Sequence, residues 1–500
     1  MSCSVVWFKR DLRIHDHRPL LEASRRGPVI CLYIYEPPVI TAPDFHVQHL
    51  GFINESLAEL RHEIRLLGGD LILRVGEATQ VLNALHTQFR FEHLYSHEET
   101  GNAVTYARDI AVGKWAKTVG VQWQEFRQFG VFRRLTDRNG WAARWKRLMS
   151  QPEAATPTTL ATIPEITPGE LQSPERFNLS KHDDTDRQMG GMRWADEELN
   201  SFLNHRGEHY QSAMSSPNSA WTGCSRLSPH FAYGNISMRT VYQTLQRHRE
   251  RHRRRRDGES GWPRSLASFE KRLHWHCHFI QKLESQPSLE FDNMASAYDG
   301  LRENAFDQSK FDAWTAGQTG YPMVDACMRA LAATGWLNFR MRAMIVSFAS
   351  YHLWLHWRET GLYLARQFLD YEPGIHYSQL QMQSGTTGIN SVRIYSPIKQ
   401  VLDHDPDGLF IKQWVPELAA IDPAYLAQPH RMSHDEQLRT GIVIGRDYPH
   451  PVVDHHTAVK AARQRIYAIR RRGDARKEAH DVFVRHGSRR RGRQNQFMRR

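Results

Sequence analysis

Short apolar segments alternate with helical patterns over the first 130 or so residues, and this alternation restricts the possible folds more than any other feature. The strand candidates are residues 4–8, 29–35, 71–75, 92–95 and 120–126. Helical patterns near 50–67, 78–90 and 103–118 separate them. Strands that alternate with helices form a parallel sheet, so an α/β domain is predicted. No GxGxxG or Walker loop supports the usual modes of nucleotide binding.

The pattern changes after this region. Five prolines between residues 151 and 174 exclude a long helix or a central strand, which indicates a linker. Beyond Trp194 the pattern is helical, with Met341, Ile345 and Phe348 on one apolar face. The predicted division is an α/β domain at 1–135, a Pro-rich linker at 136–193, an all-helical domain at 194–470 and a basic, disordered tail at 471–500.

Charge is unevenly distributed in a chain whose net charge is +12. Residues 463–500 hold fourteen Arg or Lys and three Asp or Glu, and residues 247–256 hold seven Arg and one Glu. Such segments either solubilise a disordered extension or attract nucleic-acid phosphate without reading sequence. Both interpretations stay open at this point.

Bulk features predict a soluble, cytoplasmic protein. No apolar run reaches the length of a membrane span, and residues 1–4 lead directly into the first strand without a signal-peptide pattern. The five cysteines form no CxxC pair, which fits free thiols in a reducing compartment.

Two segments concentrate aromatic, cationic and acidic residues, namely WLNFRMR at 336–342 and DYEPGIH at 370–376. They are flanked by GQTGYPMVDA at 317–326 and SVRIYSP at 391–397. Together with VWFKRDLR at 6–13, these blocks resemble the cryptochrome/photolyase family in matching order over about residues 1–440. The resemblance implies an N-terminal α/β antenna domain and an all-helical domain that binds FAD.

The resemblance implies light-driven, FAD-dependent repair of ultraviolet pyrimidine lesions in DNA, by a monomer that contacts no membrane. A cryptochrome-like photoreceptor that signals through the flavin redox state is the alternative. A flavoenzyme with some other substrate is a third possibility.

The positions that correspond to the family's FAD contacts are distributed along the helical domain. They are Tyr210, Cys224, Ser225, Arg226, Leu227, Ser228, Phe269, His276, Asn338, Arg342, Asp370, Glu372 and His376. Cys224 stands where the family usually has Thr. The alternatives are simple helix N-capping for residues 222–229 and a structural ion pair for Arg342 and Asp370.

His376 corresponds to the position that faces the flavin N5. Imidazole titrates near neutrality, so His376 is expected to tune which flavin radical form persists, and nearby Glu372 is expected to raise its pKa. A packing role is the alternative.

Lesion and DNA contacts are also carried over from the resemblance. The lesion pocket and electron supply correspond to Trp275, Arg272, Phe339, Met382 and Trp357, and DNA contacts correspond to Arg226, Arg340, Arg393 and Gln400. Arg272 replaces a glutamate that dimer photolyases use on the lesion, His276 replaces an Arg, and Met382 replaces a second pocket tryptophan. Phe339 replaces the Asn of dimer photolyases and the His of six-four photolyases. These replacements leave the lesion type open.

The electron route also departs from the family pattern of three tryptophans. Trp357 matches the middle one, whereas Leu380 and Asn304 occupy the proximal and distal positions. Tyr377, Trp354 and Tyr351 are alternative carriers.

A second chromophore is predicted beside His97, Glu98 and Glu99, since ligands bind at the carboxyl ends of parallel strands. A folate or deazaflavin antenna is implied by the resemblance, and a plain loop is the alternative. His274 and His278 are one helical turn apart, but no further ligands with suitable spacing accompany them, so no metal site is predicted.

Overall fold

The N-terminal part of the chain forms a parallel sheet of five strands. The structure is a computed structural model, and it describes residues 3–135, 137–163, 165–180, 186–255 and 260–488. The strands lie in the order β3-β2-β1-β4-β5. They are β1 Ser4–Phe8, β2 Val29–Tyr35, β3 Leu71–Val75, β4 His93–His97 and β5 Gln122–Phe126. The predicted α/β class is confirmed, and the first three strands have the predicted bounds.

The last two strands differ from the prediction at their ends. Gly120 has a φ of +80° and caps the preceding helix, so β5 begins only at Gln122. β4 continues to His97 because Ser96 and His97 pair with Glu125 and Phe126. Their polar side chains concealed this part of the strand from a search for apolar runs.

Helices cover both faces of the sheet. They are α1 Arg18–Ser24, α2 Pro37–Ile40, α3 Val47–Leu66, α4 Ala78–Phe89 and α5 Ala103–Val119. Val6 and Phe8 of β1 pack in one core with α3, whereas Val5 and Trp7 pack in another with α4 and α5. Because successive strand residues face opposite sides, the sheet is buried on both faces.

The segment predicted as a linker is extended for most of its described length. Its regular elements are α6 Trp141–Met149 and a 3₁₀ turn, Pro174–Phe177. It lies against the α/β domain, where Leu160 N donates to Leu67 O (2.7 Å) and Leu73 N donates to Pro168 O (2.6 Å). The extended part therefore starts after α6, at about residue 150, and Pro164 lies outside the described residues.

The remainder of the described chain is helical. Its α-helices are α7 Met192–Ser201, α8 Tyr210–Ala213, α9 Pro217–Gly223, α10 Ser228–Tyr233, α11 Met238–Arg255, α12 Trp262–Ser285, α13 Gln308–Thr315, α14 Pro322–Thr334, α15 Phe339–Ser347, α16 Trp357–Gln367, α17 Pro373–Ser384, α18 Pro397–His404, α19 Leu409–Trp414, α20 Pro423–Leu426, α21 His434–Thr440, α22 His455–Arg470 and α23 Gly473–His486. One turn of π-helix, Phe348–His352, continues α15. Within the described residues no helix is long and apolar enough to cross a membrane.

The largest core lies in this helical domain. It contains the predicted apolar faces, with Val324, Met328 and Leu331 of α14 packed against Met341 and Ile345 of α15. Their burial fixes α15, which carries several of the predicted site residues, and so positions the site.

Helix α23 contradicts the predicted disorder for Gly473–His486. Glu478 accepts hydrogen bonds from Ser296 N (2.6 Å) and Ala297 N (2.7 Å), and His486 Nε2 lies 2.7 Å from Gln286 Oε1. These partners are distant in sequence, so local composition could not indicate them. The rest of the predicted tail, residues 489–500, lies outside the described residues, as does Arg256 of the other basic segment.

Three side chains of the α/β domain bind the end of α16 and the segment that follows it. Gln48 Nε2 donates to Arg366 O (2.6 Å) and Gln367 O (3.0 Å), and His49 Nε2 donates to Phe368 O (3.0 Å). Arg10, which follows β1, forms an ion pair with Glu372. The two domains therefore meet at the segment that carries Asp370 and Glu372.

Candidate functional site

A bidentate ion pair joins α15 to the segment before α17. Arg342 Nη1 and Nη2 each donate to one oxygen of Asp370, both at 2.9 Å. Burial raises the pKa of Asp370, but Arg342 outweighs it and the pKa is lowered. The guanidinium also lies 4.1 Å from the centre of the Phe368 ring. A flat, charged pair with fixed geometry results.

Glu372 follows Asp370 by two residues and is almost completely buried, with 4% of its surface exposed. Its Oε2 accepts a hydrogen bond from Arg10 Nη2 (2.6 Å), whereas its Oε1 has no hydrogen-bond partner. Burial raises the pKa of Glu372 even though Arg10 lowers it. A buried oxygen without a donor suits a ligand that brings an N–H group, such as the imide edge of a flavin.

The loop between α9 and α10 contains Cys224 and Ser225, and Ser228 is the first residue of α10. Leu227 precedes α10, and no side chain caps this helix, so the N-capping alternative is not supported. Ser228 faces Asp370 and helps to lower its pKa. Its hydroxyl thus belongs to the same site as the Arg342–Asp370 pair.

Guanidinium groups gather around Cys224. Arg206 donates to Cys224 O and to Ser225 O (3.2 Å), and Arg206, Arg226, Arg272 and Arg342 each act to lower the pKa of the Cys224 thiol. Burial outweighs them and raises that pKa to about 11. The thiol therefore stays neutral. Arg206 is paired with Glu198 and Arg342 with Asp370, so the positive charge that suits an anionic group such as a diphosphate comes mainly from Arg226 and Arg272.

Arg226 does not reach the surface, contrary to its predicted DNA contact. Its guanidinium lies between two indole rings, 3.6 Å from the centre of Trp221 and 4.2 Å from that of Trp336. Only 4% of the residue is exposed, and burial lowers its pKa to about 10. Gln400, another predicted DNA contact, is buried in α18, and its contact with DNA stays a prediction.

Several predicted cofactor contacts line the interior near this loop. Tyr210 and Phe269 are buried, with ring centres 6.0 Å apart. His276 lies between Phe129 and Phe231, and burial lowers its pKa to about 3. Asn338, which is also buried, donates from Nδ2 to Met214 O (3.1 Å). The imidazole of His276 is therefore neutral and adds no positive charge to the site.

An exposed aromatic patch lies one helical turn from Arg342. Phe339 of α15 and Trp275 of α12 are 43% and 41% exposed. Arg272 lies over both rings, 4.4 Å from the centre of Trp275 and 5.3 Å from that of Phe339. Arg340 and Met382 are partly exposed and Arg393 is exposed, so these predicted contacts reach the surface.

His376 is held by a hydrogen bond to the backbone, since its Nε2 lies 2.9 Å from Gly361 O. A carbonyl oxygen only accepts, so Nε2 carries the proton. Burial lowers the pKa of His376 to about 4, which contradicts the expectation that Glu372 raises it. At neutral pH His376 is therefore uncharged, and Nδ1 offers a lone pair.

Comparison with known proteins agrees with this geometry. Residues 4–134 match the family model described as DNA photolyase, and residues 269–468 match the FAD-binding domain of DNA photolyase. A cryptochrome DASH of Gloeobacter violaceus is 28% identical over 502 residues, covering 93% of this chain and 95% of the relative.

Two solved structures superpose over nearly the whole chain. One is a bacterial class III photolyase from Agrobacterium tumefaciens, with a TM-score of 0.81 and 27% identity, covering 94% of this chain and 98% of the other. The other is an archaeal photolyase from Sulfolobus tokodaii with two FAD molecules, with a TM-score of 0.77 and 25% identity, covering 93% and 99%.

The chain belongs to the cryptochrome/photolyase family. The helical part of this family member is an FAD-binding domain. The residues present fit that cofactor, because Arg342 and Asp370 form a flat charged pair, buried Glu372 Oε1 has no donor, and guanidinium groups lie around Cys224.

In this cryptochrome/photolyase family member, a polar rim at the carboxyl end of β4 adjoins a cleft. His97 and Glu99 are buried, Glu98 lies near Arg127 (3.6 Å), and Glu99 pairs with Arg108 (3.2 Å). The cleft opens to solvent and is lined by Phe8, Tyr33, Asp44, Glu99, Arg108 and Tyr371, among others.

The rim is anchored by Asp11, whose Oδ2 accepts from His97 Nδ1 (2.7 Å) and His17 Nε2 (2.9 Å). Burial raises the pKa of Asp11, but the two imidazoles outweigh it and hold the pKa well below its usual value. Burial lowers the pKa of His97 to about 3. The imidazole N–H groups already point at the carboxylate, which gives this cluster a structural explanation without a metal.

The candidate electron carriers of this family member lie in two different regions of the helical domain. Trp357 is buried and its ring centre lies 6.4 Å from that of Tyr377. Leu380 is buried, Asn304 is exposed, and Tyr351 and Trp354 belong to a different core next to α22. His274 and His278 make ring contacts with Trp145 and Trp141.

Arg10, Trp221 and Trp336 contribute to the site of this family member without having been predicted. Arg10 lies in the segment 6–13 and Trp336 in the segment 336–342, but neither motif indicated a role for them. Trp221 precedes the Cys224 loop. An arginine next to two acidic side chains in space is invisible in sequence, so no signal singled it out.

Proposed function

We propose that this protein binds FAD against the Arg342–Asp370 pair and uses light to repair pyrimidine lesions in DNA. The observation that carries the proposal is on α15, where Arg342, the partner of Asp370, lies one turn from exposed Phe339. The cofactor pocket and an aromatic, cationic surface are thus separated by a single helical turn. A base flipped out of a duplex needs such a surface next to the cofactor.

Bound FAD supplies light absorption and one-electron transfer, and the protein supplies position and charge. Arg342 and Asp370 hold the ring system, and Glu372 Oε1 accepts from its imide edge. Ser225, Ser228 and Tyr210 contact the diphosphate, whose charge the surrounding guanidinium groups balance.

Damaged DNA binds over the exposed patch. Trp275 stacks on the flipped lesion, while Arg340 and Arg393 contact phosphates. A damaged pair costs less to open than an intact one, which favours lesions over normal DNA. Arg272 moves aside or pairs with a phosphate, since its guanidinium covers Trp275 in the free protein.

A blue-light receptor of the cryptochrome type is the second candidate. It is favoured by Arg272, whose guanidinium lies over Trp275. At this position the resemblance implies a glutamate that binds the lesion. In that case the flavin redox state, and not a DNA product, is the output.

Illumination of the reduced FAD-loaded protein with DNA oligonucleotides distinguishes the two candidates. Oligonucleotides that carry a cyclobutane dimer or a six-four lesion are scored for restored bases, with dark samples as controls. Repair of either lesion supports the enzyme. Repair of neither, with FAD bound and photoreducible, contradicts it and leaves the receptor.

The cleft at the carboxyl edge of the sheet holds a second, light-harvesting chromophore in this proposal. Tyr33 and Tyr371 offer ring surfaces, and Arg108 offers a charge in its wall. The Sulfolobus tokodaii relative with two FAD molecules gives a precedent for a flavin-sized second ligand.

Removal of residues 489–500 is expected to weaken DNA binding without changing lesion preference. The deletion removes six Arg, and such charges bind phosphates of any sequence. Affinity for damaged and undamaged DNA should fall by the same factor, and the salt dependence of binding should become shallower. Titrations at several salt concentrations measure both. A chain with the six Arg changed to Gln is the control for length, and altered lesion preference would refute the expectation.

His376→Asn is expected to retain FAD and to shift its reduction potential. The substitution replaces His376 Nδ1, which carries no proton, with a side-chain amide. The polar group next to the flavin ring therefore changes. Because the pKa of His376 is about 4, the shift should be the same across about pH 6 to 9. Spectroelectrochemical titration measures it, with exposed His434→Asn as the control. A shift that varies over this pH range would show that His376 titrates near neutrality.

A further inference from the structure

Two tyrosines and a carboxylate form a hydrogen-bonded chain that crosses the domain boundary. Tyr371 Oη lies 2.6 Å from Asp44 Oδ2 and 3.2 Å from Tyr377 Oη. The single proton of Tyr371 goes to the nearer, charged acceptor. Tyr371 therefore accepts from Tyr377, and the donors run from Tyr377 through Tyr371 to Asp44. Asn102 Nδ2 also donates to Asp44 (3.0 Å).

This chain lies between the cofactor site and buried Trp357. The ring centre of His376 is 5.1 Å from that of Tyr371 and 5.4 Å from that of Tyr377. Tyr377 is 6.4 Å from Trp357 and is buried. Both tyrosines are thus one ring away from the residue that the proposed function sets beside FAD.

The aliphatic side chain of Leu380 cannot carry an electron, although it occupies the position of the proximal tryptophan. Tyr377 is an oxidisable ring in contact with Trp357. A phenol that loses an electron in a buried site must also lose its proton, because an uncompensated charge there is costly. Asp44 offers a destination for that proton.

We propose that Tyr377 donates an electron to photo-excited, oxidised FAD while its proton passes through Tyr371 to Asp44, which rests on FAD binding as proposed above. The O–H bond of Tyr377 breaks, its proton binds Tyr371 Oη, and the original Tyr371 proton binds the Asp44 carboxylate. Tyr377 becomes a neutral radical and Asp44 a neutral acid. An electron from an external thiol, passed on through Trp357, and the proton returning from Asp44 then restore Tyr377.

The resting protonation states suit this role. Burial raises the pKa of Tyr377 and of Tyr371, so both are neutral phenols at physiological pH. Each therefore has a proton to give.

Photoreduction of the FAD-loaded, oxidised protein tests the proposal. Blue light and an excess of external thiol are applied, FAD reduction is followed by absorbance, and the protein radical is identified by transient absorption. Each measurement is repeated in D₂O. Wild type should form a neutral tyrosyl radical and slow in D₂O, and Tyr377→Phe should lose most of its photoreduction rate.

Two further variants separate the proton path from the electron path. Tyr371→Phe and Asp44→Asn retain Tyr377 but interrupt the chain, so each should slow photoreduction and lose most of the D₂O effect. Tyr363→Phe is the matched control, because its hydroxyl donates to Thr315 O (3.1 Å) and has no place in the chain. It should photoreduce at the wild-type rate.

A wild-type photoreduction rate in Tyr377→Phe with full FAD content overturns the proposal, as does loss in Tyr351→Phe alone. If Tyr377→Phe fails to retain FAD, the proposal is tested by whether wild type shows the tyrosyl radical signal and slower photoreduction in D₂O. Wild type without either feature also overturns it.

Lesion repair by chemically reduced protein needs no photoreduction, so its failure rejects the repair function independently. A wild-type protein that cannot bind FAD rejects both proposals.

Discussion

Arg342→Ala is expected to purify with little FAD. The change leaves Asp370 as a buried carboxylate without its bidentate partner and removes one flat wall of the cofactor site. Hydrogen bonds to charged groups contribute about 1.5–3 kcal/mol, so the affinity for FAD should fall by about tenfold or more. FAD released by denaturation, measured per chain after gel filtration, gives the occupancy.

Arg329→Ala is the matched control. Arg329 binds Glu417 with two hydrogen bonds, at 2.7 and 3.0 Å, and its side chain is exposed to a similar degree. This pair joins α14 to a 3₁₀ turn away from the site. Equal FAD content in the two variants would show that Arg342 only stabilises the fold, and circular dichroism of both checks that they are folded.

Asp11→Ala is expected to destabilise the α/β domain strongly. Three donors lose their acceptor, since Lys9 N (2.7 Å) binds Oδ1 while His17 and His97 bind Oδ2. A buried donor left unpaired costs about 1–3 kcal/mol, so the loss should reach about 3 kcal/mol. Urea unfolding followed by circular dichroism measures it.

The pH dependence of this loss has a definite sign. The folded-state pKa of Asp11 is lowered, so its stabilising contribution is fully present above the unfolded value of about 4. That contribution disappears as the pH falls through the lowered folded-state value. The difference between wild type and Asp11→Ala should therefore persist from neutral pH to about pH 5.

Asp447→Ala is the control for this change. Asp447 pairs with Arg446 on the surface and accepts from Val443 N (2.8 Å), and water can replace both contacts when the carboxylate is removed. Its unfolding midpoint should stay close to that of wild type. An unfolding midpoint of Asp11→Ala equal to that of Asp447→Ala would show that His17 and His97 had found other acceptors.

The sheet and the main helices of the chain follow from local patterns. Buried apolar runs specify β1 to β3, and the apolar faces of α14 and α15 specify their packing. The Arg342–Asp370 pair was predictable because both residues lie in recognisable motifs. Here local sequence and tertiary structure agree.

Other features depend on contacts between distant segments. Arg226 was assigned to DNA because it corresponds to a family position near the lesion or its phosphates, but Trp221 and Trp336 enclose it. The low pKa of His376 follows from burial, which the motif does not reveal. Helix α23 is held by contacts with Gln286 and the Ser296 turn, which no local pattern indicates.

The bonds between the two domains also constrain how the domains could be exchanged among relatives. Gln48 and His49 bind backbone carbonyl oxygens, so they would accept a helical domain of different sequence. Arg10 instead binds the side chain of Glu372, and that contact is specific to the pair. A chimaera that imported an α/β domain lacking Arg10 would leave the buried carboxylate of Glu372 without its cationic partner. We therefore expect domain exchange to preserve this contact only where Arg10 and Glu372 are inherited together.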